Sequence, residues 1–199
     1  MIIGIPSEIK PGERRVAMSP SNVLALAKKE VDVFFQSGAG KLAGYPDEDY
    51  AAAGATIVDA RSDIFAAADI ILQVQTFGAN NVNSDQDLSL VKQGQIVIGM
   101  MDPLASPEAA SVMATAGVTA IALELVPRIS RAQSMDVLSS MATLAGYKAV
   151  LMGASAAPRI FPMLMTAAGT LQPARVLIMG VGVAGLQACA TAKLSLIHI

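Results

Sequence analysis

Residues Arg175 to Lys193, RVLIMGVGVAGLQACATAK, pass from a short apolar segment through a glycine turn into helix-forming residues. The run Val176 to Met179 reads as a strand, and Gly180-Val181-Gly182-Val183-Ala184-Gly185 fits the GxGxxG pattern. That pattern is weak alone; a strand before it and a helix after it give it meaning. Gly180 permits a tight turn, Gly182 lets the backbone approach a pyrophosphate, and Gly185 lets the helix lie close to the strand. The helix N-terminus adds free N–H groups and a partial positive charge. The stretch reads as the opening of a dinucleotide-binding unit; the plain alternative is a tight β-α turn that binds nothing.

Such a unit offers an Asp or Glu roughly 20 residues beyond the glycines to hold the adenosine ribose, and no acid follows Gly185. The expectation is a unit cut short. Leu194 to Ile199, LSLIHI, is what CTG TCT CTT ATA CAC ATC encodes, a transposon end used in sequencing-library preparation. It reads as an adapter-derived tail on sequence ending near Lys193, and is set aside from fold reasoning. His198, the sole histidine, leaves the chemical argument with it.

The chain has 199 residues, 53% hydrophobic and 15% charged, enough to bury one large or two small cores. Aromatics are only 4%, so the interior is built from Ala, Val, Ile, Leu and Met, as in parallel sheets covered by helices. A net charge of −2 without any Lys/Arg run beyond Arg14-Arg15 and Lys28-Lys29 argues against nucleic acid. All sixteen acids lie at or before Asp136. In the basic remainder, the uncharged stretch Val176 to Ala192 is short of the roughly 20 residues of a membrane span. MIIGIPSEIK lacks a signal-sequence pattern, so a cytoplasmic location is expected. The single Cys189 excludes an internal disulfide and a multi-cysteine metal site, and no metal is expected.

Strands are expected at Met1 to Ile5, Val31 to Phe35, Ala55 to Val58, Ile70 to Val74, Gln95 to Gly99 and Val118 to Leu123. Ser19-Pro20 and Ser106-Pro107 each place a capping hydroxyl before a first-turn proline, starting helices Pro20 to Glu30 and Pro107 to Ala116. Shorter helices fit Asp47 to Ala53, stopped by Gly54, and Arg61 to Ala67. This alternation predicts an α/β fold with doubly wound, Rossmann-like parallel sheets, the second incomplete. The boundaries are 1–135 for the first domain, 136–174 for a connecting helix (Asp136 to Met152) and a proline-marked linker, and 175–193 for the start of the nucleotide domain. Two such domains leave a cleft, a preferred ligand site.

Just before the connecting helix lies ELVPRISRAQSMDVLSS, residues 124–140. Arg128 and Asp136 are opposite charges, and the Gln133 amide has donor and acceptor capacity suited to a carboxamide. The same residues would also serve as a solvated ion-pair network capping a helix.

The strings PRISRAQSMD and LSSMATLAGYKAV, with MIIGIPSEIKPGERRVAMSP at the start and LIMGVGVAGLQACATAK at the end, resemble the NAD-binding alpha subunit of proton-translocating nicotinamide nucleotide transhydrogenase, over Met1 to Lys193. The resemblance implies that Arg128, Gln133, Asp136 and Ser139 meet the nicotinamide end of NAD(H), joined by Arg131. It also implies that the glycine turn (Gly180, Gly182, Gly185), with Val183, holds the pyrophosphate. It further implies an NADP(H)-binding and a membrane-spanning partner domain or subunit, proton translocation, a homodimer, and a peripheral place on the inner face of the cell membrane.

The rival is alanine dehydrogenase, which shares this pattern. In that family a lysine in a KVKEP-like strand end and a histidine in the next strand end handle the keto acid, while an arginine in an NRVALTP-like string binds its carboxylate. Only the arginine has a counterpart here, Arg15 in ERRVAMSP. Leu72-Gln73-Val74-Gln75 stands where the lysine would be and Met100-Met101-Asp102-Pro103 where the histidine would be. Gln and Met donate no proton at neutral pH, and Asp102 reads as a turn residue. Direct hydride transfer between nicotinamides moves no proton at the reacting carbons, so positioning groups suffice and no catalytic acid or base is expected. A third expectation concerns residues 1–199 alone: a nonfunctional or merely binding fragment with very weak or absent NADH binding, because one strand and one helix do not build a nucleotide domain.

Overall fold

The computed structural model describes residues 1–194, so the LSLIHI expectation beyond Leu194, with His198, lies outside the described residues. The chain divides into a compact unit over Met1–Val126 and a second beginning at Pro127.

In the first unit the elements alternate: β1 (Ile2–Ile5), α1 (Pro20–Ala27), β2 (Asp32–Gln36), α2 (Asp47–Ala52), β3 (Thr56–Val58), α3 (Arg61–Ala67), β4 (Ile70–Gln75), α4 (Ser84–Leu88), β5 (Ile96–Met100), α5 (Pro107–Thr115) and β6 (Thr119–Ala122). The six strands form one sheet in the order β3-β2-β1-β4-β5-β6, every pairing parallel. This is the expected doubly wound fold. Strand order reverses between β1 and β4, and the loops leaving those strands meet at the carboxyl edge, the place where such sheets take ligands. Ile5, Val33, Phe35 and Tyr50 build one core cluster, and Ile64, Phe65, Ile71, Val97 and Met113 another. The Tyr50 ring stacks on Phe35 at 3.7 Å while its hydroxyl donates to the Met18 carbonyl at 2.9 Å.

Two local expectations need correction. The helices do begin at Pro20 and Pro107, but neither Ser19 nor Ser106 caps through its side chain. Ser19 Oγ lies 3.0 Å from Ser21 Oγ, and Ser106 Oγ reaches the Gly78 carbonyl at 3.5 Å, so other partners win the hydroxyls. α1 ends at Ala27, and Glu30 then turns left-handed at φ 58°. α4 lies outside the sequence-based expectations because its residues carry no apolar period; a buried ion pair from Asp87 to Arg61 anchors it.

The second unit contains α6 (Val137–Ala156), a hairpin of β7 (Leu164–Thr166) and β8 (Gly169–Leu171), and α7 (Val183–Leu194). Val150 on α6 and Ala188 and Ala192 on α7 form its core, with Phe161, Val176 and Ile178 packed against them. The hairpin lies within the stretch expected to be linker. Val176 to Met179 is not a strand among the described residues. Val176 and Ile178 face the core while Leu177 and Met179 are exposed, which is strand-like alternation, but among the described residues no neighbouring strand supplies a ladder to 176–179. By length and composition α6 could cross a membrane, a property that the uncharged stretch 176–192 does not reveal; in this unit it packs against α7.

Candidate functional site

The segment before α6 folds as a 3-10 turn over Ser130–Met135, and Asp136 becomes the N-cap of α6. Ser139 donates twice to it, from the backbone N to Oδ1 at 2.9 Å and from Oγ to Oδ2 at 2.7 Å. Arg128 Nη2 donates to Ser139 Oγ at 3.1 Å, and Arg128 Nε stands 3.5 Å from Asp136 Oδ2. The Ser139 hydroxyl and N–H, with smaller help from Arg128, hold the Asp136 carboxyl below its ordinary range. Thus the capping network and the grouping of candidate ligand residues are the same object.

Arg128, Gln133, Asp136 and Ser139 line one recess of about 480 Å³ together with Val183. Gln133 is exposed there, and among the described residues its amide has no hydrogen-bond partner. Arg131 is exposed and stands outside that lining, with no side-chain hydrogen bond among the described residues.

The glycine turn leads straight into Val183. Gly180 has φ +111°, a conformation that side chains oppose. A Cβ on Gly182 would meet open space, whereas one on Gly185 would strike the Gly180 carbonyl, so the turn folds onto the start of α7. A bare backbone facing outward at Gly182, before a helix N-terminus whose first N–H groups have no intrahelical partner, fits a pyrophosphate. Cys189 lies farther along α7, half-buried.

The carboxyl edge of the first sheet carries a second polar network. Gln75 donates to Glu13 Oε2 at 2.8 Å and accepts from Lys10 Nζ at 2.7 Å. Arg15 holds Glu13 in two hydrogen bonds, at 2.8 and 2.6 Å, and those bonds depress the Glu13 carboxyl to about 2. Glu8 accepts from the backbone of Val74 at 2.6 Å and of Gln75 at 3.1 Å, yet burial pushes it up to about 7. Gln73 is buried and donates to Asp87. At the end of β5, Met101 is buried, while Asp102 sits in the left-handed region at φ 48°. The Asp102 N–H donates to Glu124 and its carbonyl accepts from Ala105 and Ser106, so its backbone forms a turn. Glu8, Lys10 and Glu13 stand outside the sequence-based candidates; the available signal is a dense charge run, SEIKPGERR, between a buried strand and a helix.

The profile of the alanine dehydrogenase/PNT amino-terminal domain matches residues 4–145, and that of its carboxyl-terminal domain matches residues 149–196. The chain belongs to the alanine dehydrogenase/PNT family. Within this family it is 47% identical over 193 residues to an NAD(P) transhydrogenase alpha-subunit polypeptide of Rhodospirillum rubrum, covering 97% of this chain and 50% of the relative. The crystal structure of a transhydrogenase from Sinorhizobium meliloti superposes with a TM-score of 0.92 at 46% identity, over 99% of this chain and 55% of that one. An alanine dehydrogenase of Mycolicibacterium smegmatis is 31% identical over 96% of this chain and 50% of its own length. The chain spans about half the length of these alanine dehydrogenase/PNT relatives.

Proposed function

We propose that this chain is the NAD(H)-binding component of a transhydrogenase, passing hydride from NADH to NADP+ held on a partner domain or subunit, in a complex that couples the transfer to proton translocation. The observation that carries the reading is the recess that brings Arg128, Gln133, Asp136 and Ser139 together with Val183 at the end of the glycine turn. Gln133 and Arg128 would hold the carboxamide end of the cofactor, Asp136 and Ser139 would fix Arg128, Arg131 would approach from the rim, and Gly180, Gly182 and Gly185 would shape the pyrophosphate turn. Bound NADH supplies the hydride. The chain binds, orients and excludes water, and no acid or base is required of it.

The position of Gln75 favours this reading over amino-acid oxidation. Its amide bridges Lys10 and Glu13, and Arg15, the one retained keto-acid contact, is already matched by the Glu13 carboxylate. The complex would be cytoplasmic on this side, peripheral to the membrane through its partner, and built on a homodimer of this subunit.

The experiment mixes the subunit as its gene encodes it with the NADP-binding partner and follows reduction of an NADP analogue by NADH. Turnover is expected. No turnover there, with NADH oxidation by pyruvate plus ammonia instead, would reverse the reading.

A further inference from the structure

Gly146 lies inside α6, where glycine costs about 1 kcal/mol relative to alanine. Its lack of a side chain has a specific use. A Cβ there would run into the backbone carbonyl of Ala184 in the first turn of α7, and no side-chain rotation relieves such a contact. Gly153 on the same helix is different: a Cβ there would meet only the Phe161 ring, at 3.9 Å.

The contact joins the two halves of the nucleotide site. Ala184 follows Val183, which lines the recess, and precedes Gly185, which closes the turn on the Gly180 carbonyl. α6, for its part, begins at Asp136 and Ser139. Gly146 is seven residues past Ser139, about 10 Å along the axis. Closeness of α6 to α7 at this one point therefore sets how far the turn stands from Arg128, Gln133 and Ser139.

We infer that Gly146 is a positioning residue: by letting the first turn of α7 lie flush on α6, it fixes the spacing between the nicotinamide recess and the pyrophosphate turn. It thereby favours ligands that span both. The inference rests on the nucleotide site proposed above and adds to it a residue that touches no ligand.

The test titrates NADH and ADP-ribose, which lacks the nicotinamide, into the subunit as its gene encodes it, in wild-type, Gly146→Ala and Gly153→Ala forms. Gly146→Ala is expected to weaken NADH by about tenfold or more and ADP-ribose by less than about threefold, with Gly153→Ala changing neither. Equal loss of both ligands, or loss of neither, overturns the role of Gly146 and leaves the site standing. A wild-type protein that binds neither ligand sinks the site, and the inference with it. If Gly146→Ala does not fold, amide exchange in the wild type decides: NADH must protect residues 143–150 more than ADP-ribose does, and equal protection overturns the inference.

Discussion

Ser139 holds Asp136 with both its backbone N–H and its hydroxyl, at 2.9 and 2.7 Å, while Arg128 donates to that same hydroxyl at 3.1 Å. One carboxylate thus caps α6 and holds the guanidinium that the proposed site needs, so helix stability and the proposed ligand binding would draw on the same bonds.

Asp136→Ala is therefore expected to lower the melting temperature and to weaken NADH binding together, by about tenfold in affinity. Calorimetric melting and equilibrium titration of the same samples check this. A lowered melting temperature with unchanged affinity would leave Asp136 as a cap alone.

Glu8 and Glu13 give opposite pH dependences in separate windows. Glu8 rises from its ordinary 4.5 to about 7 through burial, so the folded chain binds this proton more tightly than the unfolded one. The stability it contributes is complete below about pH 4.5 and is lost as pH rises through about 7. Glu13, lowered to about 2 by Arg15, contributes stability above about pH 4.5 that is lost as pH falls toward 2. Glu8→Gln should flatten the upper window, by at most about 3 kcal/mol. Urea unfolding at intervals from pH 4 to 8 reads it; an unchanged slope would refute the assignment.

Arg61 makes two hydrogen bonds to Asp87, at 2.6 and 2.7 Å, with both side chains largely buried. Arg61→Ala leaves that carboxylate in the interior and should cost about 3–5 kcal/mol. A loss of less than about 1 kcal/mol in urea unfolding would show that water reaches Asp87.

Gln75→Leu removes the bridge between Lys10 and Glu13 and should cost about 1–2 kcal/mol. NADH affinity should stay unchanged, because Gln75 belongs to the first unit and not to the recess. NADH binding that falls with it in titration would refute that expectation.

Much of this was legible in the linear chain. Runs such as Ile70 to Val74 and Gln95 to Gly99 carry the β-rich composition of buried parallel strands, and a proline at the first helical position marks where α1 and α5 begin. The Arg128 to Ser139 string holds the candidate site residues but not their arrangement. Whether Asp136 caps a helix or faces a ligand depends on where a 3-10 turn places it, and no spacing rule supplies that.

Local chemistry by itself determined the strand–helix alternation of the first unit, because period and turn residues act over a few neighbours, and the glycine turn, because φ +111° at Gly180 favours glycine. Tertiary structure decided what depends on distant partners. Val176 to Met179 has the composition of a strand, but no ladder partner among the described residues makes it one. α4 is anchored by Asp87, which meets Arg61 and Gln73 on other elements, and Gly146 acquires its meaning only where the first turn of α7 lies against it. A hydrogen-bond ladder, a buried ion pair and a backbone contact each need two segments brought together, and that pairing is a property of the fold.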